Sequence, residues 1–479
     1  MQAGLRGGPL PGEGVPRAPS GPRPRSRRCL RVGRRGEPRP CPPAAPDHSG
    51  VQGEGGCGEQ AKVRRLTFWG RWKVLDWISR DGKLLLAVRP LQSFASGFVS
   101  VFFAVYLGVI GLPLWQIGLV LTGGLLCSTA FNLVAGFLAD RVGRRRMLVL
   151  FGLLAAFSGA VFAFVSNPVV LVPVAVISTL GYRGGFGPAN MLERVILAQS
   201  CPDRRRTRMY AIRSTLGSLA TSAGSLFTGM VVLLQAWLAL TEAASYKTMF
   251  GVYAVLNLAV VVLYSQLSRE AEVELPPEED LPPLSPETRR NVLKLSLLFS
   301  VDSFGGGLLT SSLVSYWFFV RFGLDMDAIG VIFSVSSLLA AASFMLAARI
   351  SERIGLINTM VYSHLPANIM TMTIPYMPTL AASTALYLSR ALLSQMDVPT
   401  RQSYVMAIVK PEERSRVAGL INLPRSLTLA VSPSLAGFIM QFMGLSLPFL
   451  IAGGLKAAYD LALYFTFRNV KPPEEEREG

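Results

Sequence analysis

The stretch Gly136–Arg146, which reads GFLADRVGRRR, indicates the fold of this chain because long apolar segments flank it on both sides. Apolar segments occupy residues 114–138 before it and 146–166 after it. Each segment is long enough for a helix to cross the roughly 30 Å of hydrocarbon in a bilayer. The stretch is therefore predicted to be a short, strongly basic loop between two membrane-spanning helices.

The composition of the whole chain also indicates a protein that lies largely in lipid. Of 479 residues, 51% are apolar and 16% are charged, which is unlike a soluble domain of this length. Backbone groups within lipid must be paired inside their own segment, so the spans are expected to be helices. The formal charge of +17 does not indicate nucleic acid, because the basic residues are spread between apolar runs and form no basic module.

Twelve apolar segments are predicted to span the membrane, six before a polar connection and six after it. They lie near residues 88–110, 114–138, 146–166, 168–198, 208–235 and 246–267, and then near 291–319, 327–349, 356–377, 381–408, 416–442 and 446–467. Arginine concentrates in alternate loops, such as those at 141–146 and 204–208. The positive-inside rule then places these loops and both termini in the cytoplasm, for a protein of the cell (inner or plasma) membrane.

The chain is predicted to divide into six parts. Residues 1–60, rich in Arg, Pro and Gly, are expected to be a disordered tail, unless the start codon is overcalled. Residues 61–84 form an amphipathic segment that suits the lipid headgroups or caps the protein. The remaining parts are a six-helix bundle at 85–268, a cytoplasmic linker at 269–290, a second six-helix bundle at 291–468 and a charged tail at 469–479.

An internal repeat relates the two bundles. Shifting the sequence by 207–212 residues brings five short matches into order along the chain. Gln92-Ser93-Phe94 meets Asp302-Ser303-Phe304, Asp140–Gly143 meets Glu352–Gly355, and Arg183 meets Arg390. Transporters built from parallel repeats of this kind hold their substrate near the membrane midplane, between the two halves.

The basic loop, its degenerate second copy and the repeat together resemble the major facilitator superfamily, in its prokaryotic twelve-helix type, over about residues 85–468. The resemblance implies an all-α membrane protein of twelve transmembrane helices in two pseudo-symmetric six-helix bundles. It also implies that the loop latches the halves together on the cytoplasmic side. The residues implicated in this gate are Gly136, Asp140, Arg141, Gly143 and Arg144 in the first copy and Glu352, Arg353 and Gly355 in the second.

The chemistry of the loop supports a gate independently of the family. Asp140 lies at a helix end, where a carboxylate accepts hydrogen bonds from free backbone N–H groups, and Arg144 can hold it. For Arg145 and Arg146 a purely topological role is equally reasonable. The second copy has Ala348 and Leu356 where the first has glycine and arginine.

Charged residues inside the spans are candidates for function, because each costs about 2.5–3.5 kcal/mol at mid-membrane. Asp302 lies about eleven residues into the seventh span, and burial disfavours a charged carboxylate, which suits a proton carrier. Asp397 and Arg401 are four residues apart and are predicted to pair, for coupling or as a structural ion pair. The resemblance implies a part in proton coupling for Arg183. Other candidates for the cavity are Gln92, Asn132 and Arg390.

These features predict a secondary active transporter that moves a small anionic or amphipathic organic solute by alternating access, with the proton as coupling ion. Efflux is slightly favoured, because Ala223–Leu226 and Ser432–Gly437 resemble the family's antiporter signature, although the fifth span lacks its proline. An uptake symporter is the alternative. A membrane enzyme or a transport-inactive sensor on the same scaffold is a further alternative.

The sequence gives little support to an enzyme. It contains two histidines and no metalloprotease, nucleophile-elbow or P-loop motif. No enzymatic activity, metal or cofactor is therefore predicted. The expected partners are the solute, the proton and the bilayer, with no nucleic acid, and the chain is expected to be a monomer.

Overall fold

A computed structural model of the chain describes residues 77–178, 187–201, 206–268, 285–409, 413–468 and 470. Within these ranges the regular elements are helices. The predicted tail, most of the interfacial segment, most of the linker and the predicted coupling residue Arg183 lie outside the described residues.

The helices of the first half are α1 (Arg80–Val109), α2 (Leu114–Val142), α3 (Arg144–Phe164), α4 (Pro168–Ser178), α5 (Gly187–Gln199), α6 (Arg206–Phe227), α7 (Met230–Leu238) and α8 (Glu242–Ser265). Those of the second half are α9 (Pro286–Leu308), α10 (Ser311–Phe322), α11 (Met326–Ile354), α12 (Leu356–Thr373), α13 (Leu380–Ser394), α14 (Asp397–Ala407), α15 (Arg414–Phe442) and α16 (Leu447–Phe467). A 3-10 turn at Ile374–Tyr376 follows α12.

The predicted apolar segments coincide with these helices. Each of the twelve falls on one helix or on two consecutive helices, as 291–319 does on α9 and α10. Among the described residues, seven helical stretches are long and apolar enough to span a bilayer by themselves. The all-helical membrane fold is confirmed, and the count of twelve stays a prediction.

Several helices begin at a hydroxyl side chain that satisfies a free backbone donor. Ser79, Thr241 and Ser285 each accept a hydrogen bond from the N–H group three residues further on. Thr310 and Thr379 do the same at the starts of α10 and α13. Such caps satisfy backbone N–H groups of the first helical turn, which have no carbonyl partner within the helix. An unpaired N–H group is most costly where water is scarce.

A single glycine joins α2 to α3, and another joins α11 to α12. Helices α2 and α11 are both 29 residues long. Each ends at a glycine with a left-handed backbone, Gly143 at φ 97° and Gly355 at φ 83°. A residue with a side chain is strained at such an angle. The two copies of the loop therefore share one backbone geometry, which is how the repeat appears in the structure.

The two halves are hydrogen-bonded to each other at the end opposite these glycines, at a contact that we call the seam. Backbone N–H groups of Leu114 and Ser434 donate to Gln441 Oε1 and Thr122 Oγ1, at 3.0 and 2.9 Å. The hydroxyls of Ser222 and Ser334 lie 2.8 Å apart. The hydrogen bonds that the structure describes between the halves all belong to this end of the helices.

Small residues let the backbones cross closely at the seam. A Cβ atom on Gly437 of α15 would lie 2.4 Å from the carbonyl oxygen of Leu114 on α2. A Cβ atom on Gly330 of α11 would lie 2.7 Å from the carbonyl oxygen of Ser225 on α6. The stretches Ala223–Leu226 and Ser432–Gly437 are thus the places where α6 and α15 cross the opposite half.

The apolar cores indicate that the two halves separate toward the end of the helices that carries Gly143 and Gly355. One core contains residues of both halves near the seam, such as Tyr106, Trp317 and Phe333. A separate core belongs to the second half alone, near the Gly355 end, and includes Ile357 and Leu463. The halves therefore share a core at the seam, and no single core joins them, within the described residues, at the end that carries the basic loops.

Candidate functional site

Seven polar side chains gather in the middle of the second half, and we call them the second-half cluster. They come from α9, α12, α14 and α16, and one of their hydrogen bonds joins residues 154 positions apart in the chain. All are buried except Lys456, whose side chain is 13% exposed. The members are Asp302, His364, Asn368, Asp397, Arg401, Lys456 and Asp460.

Asp302 is the centre of this cluster. Its Oδ1 accepts a hydrogen bond from Lys456 Nζ at 2.7 Å, and its Oδ2 accepts one from Arg401 Nη1 at 3.0 Å. Gly305 gives the lysine room, since a Cβ atom there would lie 3.0 Å from Lys456 Cγ. Two cations from two different helices thus balance one buried carboxylate.

Arg401 joins a second carboxylate to the cluster. Its Nη1 lies 3.4 Å from Asp397 Oδ2, four residues earlier on the same helix. Its guanidinium lies 5.2 Å from the centre of the Phe299 ring, in cation–π geometry. The predicted pair of Asp397 and Arg401 is present, and it is part of a larger network that includes Asp302.

His364, Asn368 and Asp460 form the other side of the cluster. His364 Nδ1 lies 2.8 Å from Asp460 Oδ1, and Asn368 Nδ2 donates to Asp460 Oδ2 at 2.8 Å. The edge of the Tyr459 ring packs against the imidazole, with ring centres 6.2 Å apart. Both oxygens of Asp460 are therefore bound by α12, and neither is bound by a lysine or an arginine among the described residues.

A different network is buried in the first half, and we call it the first-half cluster. Glu193 on α5 accepts from Arg213 Nη2 on α6 at 2.5 Å and from the Tyr264 hydroxyl on α8. Gln92 on α1 donates to that hydroxyl at 2.7 Å. Asn190 Oδ1 accepts from Arg213 and from Arg89, each at 2.8 Å.

A small cavity adjoins the first-half cluster. Its volume is about 20 Å³, and Gln92, Ser96, Tyr253 and Asn257 supply the polar part of its lining. That volume matches about one water molecule. It is too small for an organic solute.

Arg144, one of the predicted gate residues, and its neighbour Arg145 bind within their own half. Arg144 donates to Gln199 at 3.2 Å, and Arg145 donates to the carbonyl oxygen of Ser265 at 2.5 Å. Glu352 and Arg353 are exposed at the end of α11. Arg141 is likewise exposed, and the side chain of Asp140 lies outside the described residues. A latch between the halves stays a prediction for this loop.

The other predicted cavity residues have local partners. Asn132 donates to the carbonyl oxygen of Ser128 on its own helix at 2.9 Å. Arg390 donates to Thr371 Oγ1 at 2.7 Å and lies 5.9 Å from the centre of the Tyr387 ring. Gly136 meets only an ordinary contact, with a Cβ position 3.7 Å from Met191.

Sequence reasoning missed part of both clusters. Lys456 and Asp460 are absent from the predicted set although they lie four residues apart inside the last apolar span, which is a readable signal of a charged helix face. His364 and Glu193 are likewise absent from the predicted set, because their partners lie on other helices. No group of three metal-ligating side chains is formed within the described ranges.

Comparison with known proteins gives one family and several relatives. The family model of the Major Facilitator Superfamily matches residues 91–396. The uncharacterized membrane protein YJR124C of Saccharomyces cerevisiae is 27% identical over 429 residues, which are 82% of this chain and 95% of the yeast protein. A Na(+), Li(+), K(+)/H(+) antiporter of Planococcus maritimus is 29% identical over 164 residues, 32% of this chain and 36% of the antiporter.

Solved structures share the fold at low sequence identity. The nucleoside transporter NupG superposes with a TM-score of 0.62 at 14% identity, covering 81% of this chain and 99% of that one. An auto-inhibited peptide transporter of the POT family gives 0.65 at 12%, covering 82% and 97%. A D-xylose-proton symporter gives 0.59 at 16%, covering 80% and 96%.

Proposed function

The chain belongs to the major facilitator superfamily, and from that premise we propose that it is a proton-coupled secondary transporter of a small organic solute, with efflux the preferred direction. The family and the transporters of the same fold support secondary transport across a membrane. The coupling ion, the direction and the solute are our proposal. We place the protein in the cell membrane as a monomer with both termini in the cytoplasm.

The second-half cluster is the observation that carries the proposal. Ionised groups in the middle of a membrane protein are costly unless they are paired, so they mark ion and substrate pathways. Asp302 holds α14 and α16 together through Arg401 and Lys456. A change of charge within the cluster, or a solute anion that takes the place of Asp302, would release one of these cations. Binding would thereby be linked to the packing of three helices.

The seam supports alternating access. The halves are joined at one end and have separate cores at the other. With the basic loops in the cytoplasm, this arrangement corresponds to a cavity open to the inside. Opening to the outside would require the seam to part and the gate residues of the two loops to approach the opposite half.

Two observations bear on direction and solute. The stretch Ser432–Gly437, which resembles the antiporter signature, lies at the seam, and one relative over part of the chain is an antiporter. Both favour efflux, with an uptake symporter as the alternative. Arg390 is bound to a hydroxyl and an aromatic ring, so an anionic group on the solute would suit it.

The proposal is tested with the purified full chain in proteoliposomes that contain a pH-sensitive dye. A panel of anionic and amphipathic solutes is added under an imposed pH gradient, and proton movement and solute accumulation are both recorded. We expect at least one solute to move protons in the wild type. Asp302→Asn should lower that rate at least about tenfold, equivalent to about 1.4 kcal/mol in barrier height.

The matched control is Asp325→Asn, which removes an exposed carboxylate that makes no capping hydrogen bond at the start of α11. It should behave as the wild type. Equal rates of proton movement for Asp302→Asn and the wild type would show that Asp302 has no part in coupling. The proposal that the chain is a transporter would not be affected by that result. Solute binding without flux would instead indicate a sensor, and hydrolysis of a lipid or nucleotide would indicate an enzyme.

A further inference from the structure

We infer that His364 and Asp460 together form the proton-binding site of this transporter, separate from Asp302. The inference rests on the proposed function, because it names the groups that would carry the coupled proton. It is carried by three observations: the charge count of the second-half cluster, the hydrogen bonds around the imidazole, and the position of Lys456 one helical turn from Asp460.

The charge count leaves one carboxylate without a permanent counter-charge. The cluster contains three carboxylates and two groups that are cationic at neutral pH, Arg401 and Lys456. Asp302 binds both cations, and Asp397 shares Arg401. Asp460 binds only His364 and Asn368 within the described residues. One proton on the pair of His364 and Asp460 therefore makes the whole cluster neutral.

The hydrogen bonds decide which nitrogen exchanges the proton. His364 Nδ1 lies 2.8 Å from a carboxylate oxygen, so we assign it as an N–H donor to Asp460. The Asn368 amide nitrogen lies 3.2 Å from the same Nδ1, but two N–H donors do not bond to each other. It therefore donates to Asp460, at 2.8 Å. With Nδ1 fixed in this way, Nε2 is the atom that gains or loses a proton near neutral pH.

Several charged and titratable side chains face the imidazole from the helices around α12. Helix α16 brings Lys456, Tyr459 and Asp460, and α14 brings Asp397 and Arg401. Across α16, α9 brings Asp302, and α13 brings Arg390, which is bound to Thr371 of α12. The charged residues of α11 are exposed and lie in its first turn, Asp327, and in its last two turns, Arg349, Glu352 and Arg353.

The position of Lys456 links the proton to Asp302. Lys456 and Asp460 are four residues apart on α16, on one face of the helix. While His364 is an imidazolium, Asp460 is neutralised and Lys456 stays with Asp302. When the proton leaves, Asp460 becomes the carboxylate with the greater need of a cation, and it competes with Asp302 for Lys456. Loss of one proton can thus loosen the contact between α9 and α16.

The chain permits a direct test, because its two histidines are His48 and His364. In a His48→Gln background, ¹⁵N-labelled histidine reports on His364 alone. Solid-state NMR of the full chain in lipid bilayers is recorded from pH 5 to 9. We expect an imidazolium at low pH that converts to neutral imidazole as the pH rises. Asp460→Asn should leave a neutral imidazole at pH 7 and above, and Asp325→Asn should leave the signal unchanged.

Two results would overturn the inference. One is an imidazole that stays neutral across the whole pH range in the intact protein. The other is an unchanged imidazolium in Asp460→Asn, since the carboxylate that stabilises it would be gone. A thermal melting curve close to that of the parent protein shows that the Asp460→Asn variant is folded.

Transport assays separate this inference from the proposed function. His364→Gln keeps a donor toward Asp460 but cannot titrate, so it should lose solute-driven proton movement at least about tenfold while solute exchange continues. Proton-coupled transport that persists in His364→Gln would end the inference and leave the proposed function intact. A wild type that moves solute without protons would end proton coupling, whatever the NMR titration shows.

Discussion

The two buried clusters both contain polar groups inside a membrane protein, but their carboxylates are paired with different kinds of side chain. The first-half cluster has one carboxylate, Glu193, which is held by an arginine and a tyrosine. The second-half cluster has three carboxylates, and one of them is held by a histidine and an amide. Arginine and tyrosine keep their protons at neutral pH, whereas histidine can gain or lose one there.

This difference indicates a division between the halves. The first-half cluster has a charge that is fixed over the physiological pH range, so its effect is to hold α5, α6 and α8 together. The second-half cluster can change its charge by one unit, so it is the one able to respond to a proton gradient.

Glu193→Gln should cause the largest loss of stability. It leaves Arg213 buried without the carboxylate that binds it at 2.5 Å, and removal of one partner of a buried ion pair costs about 3–5 kcal/mol. The free energy of unfolding in detergent measures the loss, with the exposed Glu352→Gln as the control. The pH profile of any remaining transport should be unchanged, and a shifted profile would reverse the roles given to the two clusters.

Lys456→Met should cost less, about 1.5–3 kcal/mol, because Asp302 keeps its charged hydrogen bond to Arg401. Adding Asp302→Asn in the same chain should recover part of that stability, since carboxylate and ammonium disappear together. A double-mutant cycle on the unfolding free energy measures the coupling, expected to be about 0.5–3 kcal/mol. Additive effects would mean that the two groups do not depend on each other.

Gly437→Ala tests the seam, which belongs to neither cluster. The new methyl group would lie 2.4 Å from the carbonyl oxygen of Leu114, and overpacking of this kind typically costs about 1–3 kcal/mol. The change should favour separation of α2 from α15, which cross-linking of cysteines introduced on the two helices would record. Gly454→Ala is the control, because nothing lies within 4 Å of its Cβ position.

Gly143→Ala and Gly355→Ala compare the halves where they are alike. Both glycines have positive φ angles, 97° and 83°, and a residue with a side chain is strained there by about 1–2 kcal/mol. The two substitutions should therefore lower the melting temperature by similar amounts. A much larger effect at Gly143 would show that the first loop has a part in gating that the second has lost.

Much of the fold could be predicted from the sequence, because hydropathy and repeats are local or periodic signals. Residues 114–138 and 327–349 were placed correctly within α2 and α11 by their apolar runs alone. The pairing of Asp397 with Arg401 was accessible for the same reason, since four residues make one helical turn.

The rest of the candidate site depends on tertiary contacts. The ion pair of Lys456 with Asp302 spans 154 positions, and the contact of His364 with Asp460 spans 96. No periodicity within one helix indicates which face meets which neighbour, so the sequence does not indicate that His364 binds Asp460. Asn132, predicted as a cavity residue, donates to a carbonyl oxygen of its own helix, and its part in a cavity stays a prediction.

The seam contains backbone carbonyls, hydroxyls, an amide and glycines, and the hydrogen bonds described there involve no ionised group. Its strength should therefore be indifferent to salt and to pH over the physiological range. In a proton-coupled transporter, the groups that bind the proton would thus be separate from the contact about which the halves turn. The charged groups lie in the second-half cluster, and the seam contains none of them among its described hydrogen bonds.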